Sequence, residues 1–184
     1  MKRLLVVISM LCLWTGTASA LQVAGVNLSP VLQLHNRTLH LNGYGIRKKF
    51  FFKIYVGSLY SVDRLTSGEA ALRDSGDKLI RMNFLYSRVE PEKIVEAFAD
   101  GLRENSPAVA GTADARRFLG LFRNDFVRGD QVDLYLGGDG TVTASHNGRL
   151  LGVLHSVPLA RAVLAIYLGQ NPADDDLKAG MLGH

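Results

Sequence analysis

The sequence predicts an α+β fold, with one large antiparallel sheet and helices packed on one of its faces. Two observations carry that prediction. Strand patterns of period two occupy an early block (21–41, 50–62, then 79–86) and recur in a late block from Gln131. Helical spacing takes over between these blocks and after the second one. The order strands, helices, strands, helix, with no internal repeat and no linker, suits a sheet whose helices gather on one side.

The elements follow in order. "VNLSPVLQL" and "RTLHLNG" alternate as strands, with Asn36-Arg37 as the turn between them. Phe50 to Val62 is a longer strand, rich in aromatic and β-branched residues. "DRLTSGEAALRDSGDK" reads as turn, short helix, turn. Leu79 to Tyr86 is a strand with Leu79, Arg81, Asn83 and Leu85 on one face. "SRVEPEKIVEAFADGLREN" is the clearest helix. Pro91 stands in its first turn, Glu90 and Glu92 at its positive end, Arg103 at its negative end, and Ile94, Val95, Phe98 and Leu102 on one stripe. "TADARRFLGLF" repeats the helical pattern more weakly. From Gln131 strands return, with turns at Gly137–Gly140 and Asn147-Gly148. "PLARAVLAIYLG" is the last clear helix, opened by Pro158 and closed by Gly169. The three aspartates of "PADDDLK" lack the spacing of a calcium loop and read as a solvated helix start.

The first twenty of the 184 residues form a separate object. "MKRLLVVISMLCLWTGTASA" has a basic start, an apolar run from Leu4 to Trp14, and Ala18 and Ala20 at the −3 and −1 positions of a cut. That is the pattern of a secretory signal peptide, and the run is short of the about 20 residues a membrane span needs. The expected mature chain is therefore a single domain, 21–184, periplasmic or secreted, with no transmembrane segment. Its net charge falls from +4 to +2, because Lys2 and Arg3 leave with no acid. So small a surplus does not indicate a nucleic-acid partner. The only cysteine, Cys12, leaves too, which removes disulfide and thiolate chemistry.

The common catalytic signatures are missing: no phosphate loop, no dinucleotide fingerprint and no nucleophile elbow. Histidines 35, 40, 146, 155 and 184 are not spaced as metal ligands. Neither a cofactor nor a metal is expected.

One stretch stands out. In "LNGYGIRKKFFFKIYVGSLYS", residues 41–61, Arg47, Lys48 and Lys49 crowd the mouth of the most hydrophobic strand, just after Gly43 and Gly45, which allow close backbone approach. Two readings are open: a solvated strand end, or an anion site at the rim of an apolar cleft.

This stretch resembles the chalcone isomerase family, where Gly-x-Gly-x-Arg precedes an aromatic strand. "ARAVLAIYLGQNPADDDLKAGMLG" is similar to that family's last helix, and "FRNDFVRGDQVDLYLGGDGTVTASHNGRLLG" to its bacterial, exported branch. The resemblance implies an open-faced β-sandwich, a large antiparallel sheet covered by helices, with a ligand cleft between them. The family holds flavanone-forming enzymes and relatives that bind fatty acids without catalysis.

Carried over residue by residue, the enzyme's arginine falls on Arg47 and is kept. Its strand threonine falls on Tyr55, its helix tyrosine on Glu90, its asparagine on Ala97, and its last-helix threonine or serine on Ile166. Ala97 and Ile166 cannot donate a hydrogen bond, and Glu90 would repel a phenolate. The resemblance therefore implies a binder of a small amphipathic carboxylate such as a fatty acid, with an arginine and a tyrosine as anchors. The alternatives are an isomerase or intramolecular lyase with another substrate, and a partner-binding module without a cleft. The candidate ligand-binding residues are Arg47 and Tyr55, with Tyr44 and Lys53 as further partners. On one straight strand Arg47 and Tyr55 would stand about 26 Å apart. They meet only if the chain folds back between them, near Lys48 and Lys49.

Overall fold

The computed structural model describes residues 21–184; the expected leader, 1–20, lies outside them. The chain opens with a small hairpin, β1 (Leu21–Val23) and β2 (Val26–Leu28). Then come β3 (Val31–Leu34), β4 (Arg37–Lys49), β5 (Phe52–Ser61), α1 (Gly68–Arg73) and β6 (Lys78–Phe84). The middle of the chain holds β7 (Arg88–Val89), α2 (Pro91–Asn105), α3 (Pro107–Ala110), α4 (Ala113–Leu119) and β8 (Phe126–Val127). It ends with β9 (Gln131–Leu136), β10 (Thr141–His146), β11 (Arg149–His155), α5 (Val157–Leu168) and α6 (Asp175–Met181).

Seven strands make one curled antiparallel sheet in the order β11-β10-β9-β6-β5-β4-β3, and β1–β2 and β7–β8 pair separately. The main core lies between the sheet's inner face and the helices. There an aromatic chain runs from Tyr55 through Phe84, Phe126 and Phe122 to Phe98, with neighbouring ring centroids 4.9–6.4 Å apart. Such pairs add about 0.5–1.5 kcal/mol each beyond area burial. A smaller cluster of Leu39, Tyr60, Leu79 and Tyr135 sits on the outer face. The bidentate pair Arg81–Asp133, at 2.8 Å on both arms, stands on the same strands.

Two turns differ from the sequence reading. The β3–β4 turn falls on His35 and Asn36, whose φ of 49° and 60° are left-handed, one residue before the expected Asn36-Arg37. Such a pair fits the tight turn that matches strand twist. The expected strand Phe50–Val62 begins at Phe52, because Phe50 and Phe51 form the turn that reverses β4 into β5. The chain does fold back between Arg47 and Tyr55, at these phenylalanines and not at Lys48–Lys49.

Helix α6 lies directly on β4. A Cβ on Gly43 would sit 2.3 Å from the Gly180 carbonyl oxygen, and one on Gly45 would sit 2.8 Å from the Leu177 Cα. The two glycines therefore admit a helix backbone, not a ligand. The aspartate run starts this helix: Asp174 accepts from the Leu177 amide at 2.9 Å and from the Lys48 amide at 3.0 Å. One N-cap thus serves α6 and fastens the end of β4 to it.

Candidate functional site

Arg47 and Tyr55 stand directly opposite each other across β4 and β5. Opposed residues share a face, here the one that carries α6. The register slips just beyond them, so that Ile54 is the extra residue of a β-bulge. Its carbonyl oxygen accepts the amides of both Leu85 and Tyr86, at 2.8 and 3.1 Å. The bulge re-aims Ile54, which now lines the same cleft as Arg47.

That cleft measures about 290 Å³, near the lower end of small-molecule pockets. Three pieces of chain form it. The hairpin gives Arg47, Lys49 and Ile54, and the segment after β6 gives Tyr86, Arg88 and Val89. Helix α2 and its N-cap give Glu90, Lys93, Ile94 and Ala97. The α2 residues recur at i, i+3, i+4 and i+7, one face of a helix. Around an apolar lining stand four cations and one acid. Arg88 is 2.9 Å from Asp125 and Lys93 is 3.0 Å from Glu96. Among the described residues Arg47 and Lys49 form no ion pair with a carboxylate.

Tyr55 does not line the cleft. It is buried beneath Arg47, whose guanidinium carbon lies 5.7 Å from the ring centroid. The Tyr55 hydroxyl pushes the Arg47 pKa up, against burial, and Tyr167 and Asp174 push the same way. Arg47 is therefore a permanent cation with a rigid aromatic seat. Tyr167 of α5 lies fully buried behind Tyr55, donates to the Met82 Sδ at 3.2 Å, and is kept protonated chiefly by burial.

The other expected partners are not brought to Arg47. Tyr44 is opposite Ser58, in the alternate row of β4 that faces away from α6. Lys53 is exposed and borders a second hollow with Phe51, Phe52 and Arg128. Of the positions carried over from the enzymes, Glu90 and Ala97 line the Arg47 cleft. Ile166 is buried in α5, where it fills the space in front of Gly101 of α2. Sequence reasoning missed Tyr86, Arg88, Lys93 and Ile54. Lys93 and Ile94 were within reach, since Glu90 and Ala97 already mark one face of α2. Ile54 was not, because only the bulge turns it inward.

A sequence model of chalcone isomerase-like proteins matches residues 20–183. No curated protein matches the chain. Among solved structures, a fatty-acid binding protein of Arabidopsis thaliana is similar, with a TM-score of 0.66 and 17% identity. The match covers 86% of this chain and 92% of that one. At that identity the likeness is one of fold, and it agrees with the expected large antiparallel sheet covered by helices.

Proposed function

The chain belongs to the chalcone isomerase-like family, and on that footing we propose that it is a non-catalytic protein that holds a small amphipathic carboxylate, such as a fatty acid, in the Arg47 cleft. We place its work in the periplasm or outside the cell, after loss of residues 1–20. One observation carries the binding reading: an apolar cleft with a fixed arginine that forms no ion pair among the described residues. A ligand carboxylate would meet the planar guanidinium in a fork, with Lys49 beside it, while its alkyl chain lies on Ile54, Val89, Ile94 and Ala97. The fatty-acid binding of the Arabidopsis neighbour supports the same use of the fold.

Cyclisation of a chalcone would need donors on the developing charge. Where that chemistry places an asparagine the cleft has Ala97, and where it places a tyrosine it has Glu90. We expect no acceleration of that reaction over buffer.

The test is titration with a fluorescent fatty acid, alongside melting curves. Arg47→Ala should weaken binding by about 1.5–3 kcal/mol, the range for hydrogen bonds to charged groups. Its stability should fall by about 2 kcal/mol at most, the worth of a cation–π contact withdrawn from water. Arg47→Lys should recover part of the affinity, because an ammonium cannot form the fork. Equal affinities for all three proteins would overturn the assignment.

A further inference from the structure

The cleft does not account for the tip of its own hairpin. Phe50, Phe51 and Phe52 are 84%, 98% and 54% exposed. Phe52 is braced edge-on against Tyr86 at 5.4 Å, whereas among the described residues no aromatic partner holds Phe50 or Phe51. Large apolar side chains are seldom left so open without a use. The backbone adds a second sign. Phe50 has a left-handed φ of 55° at the first central position of a two-residue turn, where glycine or asparagine is the ordinary choice. A bulky residue kept there works against the local conformational preference.

Charge decides what the tip meets. Arg47, Lys48, Lys49 and Lys53 flank the three phenylalanines, and no acid occurs in the sequence from Thr38 to Val62. Lys48 is matched by Asp176 at 3.4 Å, Lys49 feels Glu96 and Arg47 feels Asp174, which leaves Lys53 as the tip cation without an acid among the described residues. Arg128 adds a cation across the neighbouring hollow, which Phe51, Phe52, Ala24 and Val26 also line. A second copy of the chain would bring identical cations together. A grooved protein partner would have to take up two adjacent phenylalanines at a turn and also supply acids for the cations around them. An anionic bilayer accepts both features, with rings at the level of the acyl boundary and lysines among the phosphates.

We propose that the Phe50–Phe51 hairpin tip, with its ring of cations, is a peripheral membrane-binding site for anionic phospholipid surfaces. It inserts only side chains; no helix among the described residues is long and apolar enough to cross a membrane. The inference does not rest on what fills the cleft, although Arg47 and Lys49 belong to both places. A docked tip would bring the mouth of the cleft close to the lipid.

The test uses residues 21–184, which hold every strand and helix described, because the apolar run at 4–14 would itself enter a bilayer. That chain has no tryptophan, since the single one is Trp14. Phe51→Trp therefore makes a sole reporter at the tip. Its emission should shift to the blue on vesicles of phosphatidylglycerol in phosphatidylcholine and be quenched by lipids brominated near the headgroup. Cosedimentation with those vesicles should weaken roughly tenfold or more in the Phe50→Ser/Phe51→Ser double variant, given the apolar area withdrawn. It should also fall steeply with salt, at about fivefold per basic residue engaged. Fatty-acid titration in the absence of vesicles should be unchanged in the double variant, so failure of the cleft and failure of the tip are separately visible. No vesicle binding, or binding that the double variant retains, would overturn the proposal. Self-association of the wild type, lost in the double variant and without vesicle binding, would overturn it in favour of a second copy.

Discussion

At the scale of single residues, the arrangement around Arg47 separates holding a charge from using it. Tyr55 is buried, so its ring and hydroxyl fix the guanidinium without reaching the cleft. Glu90 is the one acid on the cleft wall, and as N-cap of α2 it makes no side-chain capping bond. Glu90→Gln should therefore leave the helix start largely intact and remove a repulsion from an anionic ligand. Because Glu90 is exposed, the gain should stay within about 0.2–1 kcal/mol, up to roughly fivefold tighter binding. Comparison of a fatty acid with the alcohol of the same chain length checks the cause: only the acid should gain, and an equal gain for both would point to altered packing. Phe50 carries the opposite balance. Phe50→Gly should relieve a left-handed side chain, about 1–2 kcal/mol, offset by roughly 0.5–1 kcal/mol of added unfolded-state entropy. A slightly higher melting temperature with weaker vesicle binding is the expected pair of results. A lower melting temperature would mean that Phe50 is packed in the fold.

At the scale of elements, β4 and α6 act as one unit. The Gly43 Cα faces the Gly180 carbonyl, and Asp174 ties the α6 cap to the Lys48 amide just past Arg47. Gly43→Ala should push the helix off the strand and cost at least about 1–3 kcal/mol, the usual penalty of overpacking. It should also loosen Arg47, so that fatty-acid affinity falls together with the unfolding midpoint in urea. A loss of stability with affinity unchanged would show that the cleft does not depend on the docked helix. The same packing explains what the sequence hid. Residues 42–49 do not read as a strand, because β4 presents glycines to α6 where an ordinary strand would show apolar side chains. The hairpin turn was illegible because phenylalanines occupy the positions where turn chemistry expects glycine or asparagine. Helices α2 and α5 were legible, with their starts at Pro91 and Pro158 and their apolar stripes, and so was the Asn147-Gly148 turn. Arg47 was found through the resemblance, whereas the bulge that gathers Ile54 and Tyr86 around it leaves no local pattern.

At the scale of the whole molecule, the described strands and helices lie within residues 21–184, the span expected after cleavage. β1 begins at Leu21, and the core described belongs to that strand's successors. Cleavage after Ala20 should give a protein whose intact mass starts at Leu21 when it is recovered from the cell envelope. That protein should not react with a maleimide, because Cys12 is the only cysteine of the chain. Stability in an oxidising compartment must then rest on the core alone, without the disulfides that exported domains often use. Its melting curve should be the same with and without a reductant. An intact mass that retains residues 1–20 would turn the leader into an anchor. In that case the chain would be held at the membrane whatever its hairpin tip does, and the Phe50→Ser/Phe51→Ser variant would remain in the membrane fraction. Release of that variant into the soluble fraction, with the wild type partly bound, is the outcome that joins a cleaved leader to a lipid-docking tip.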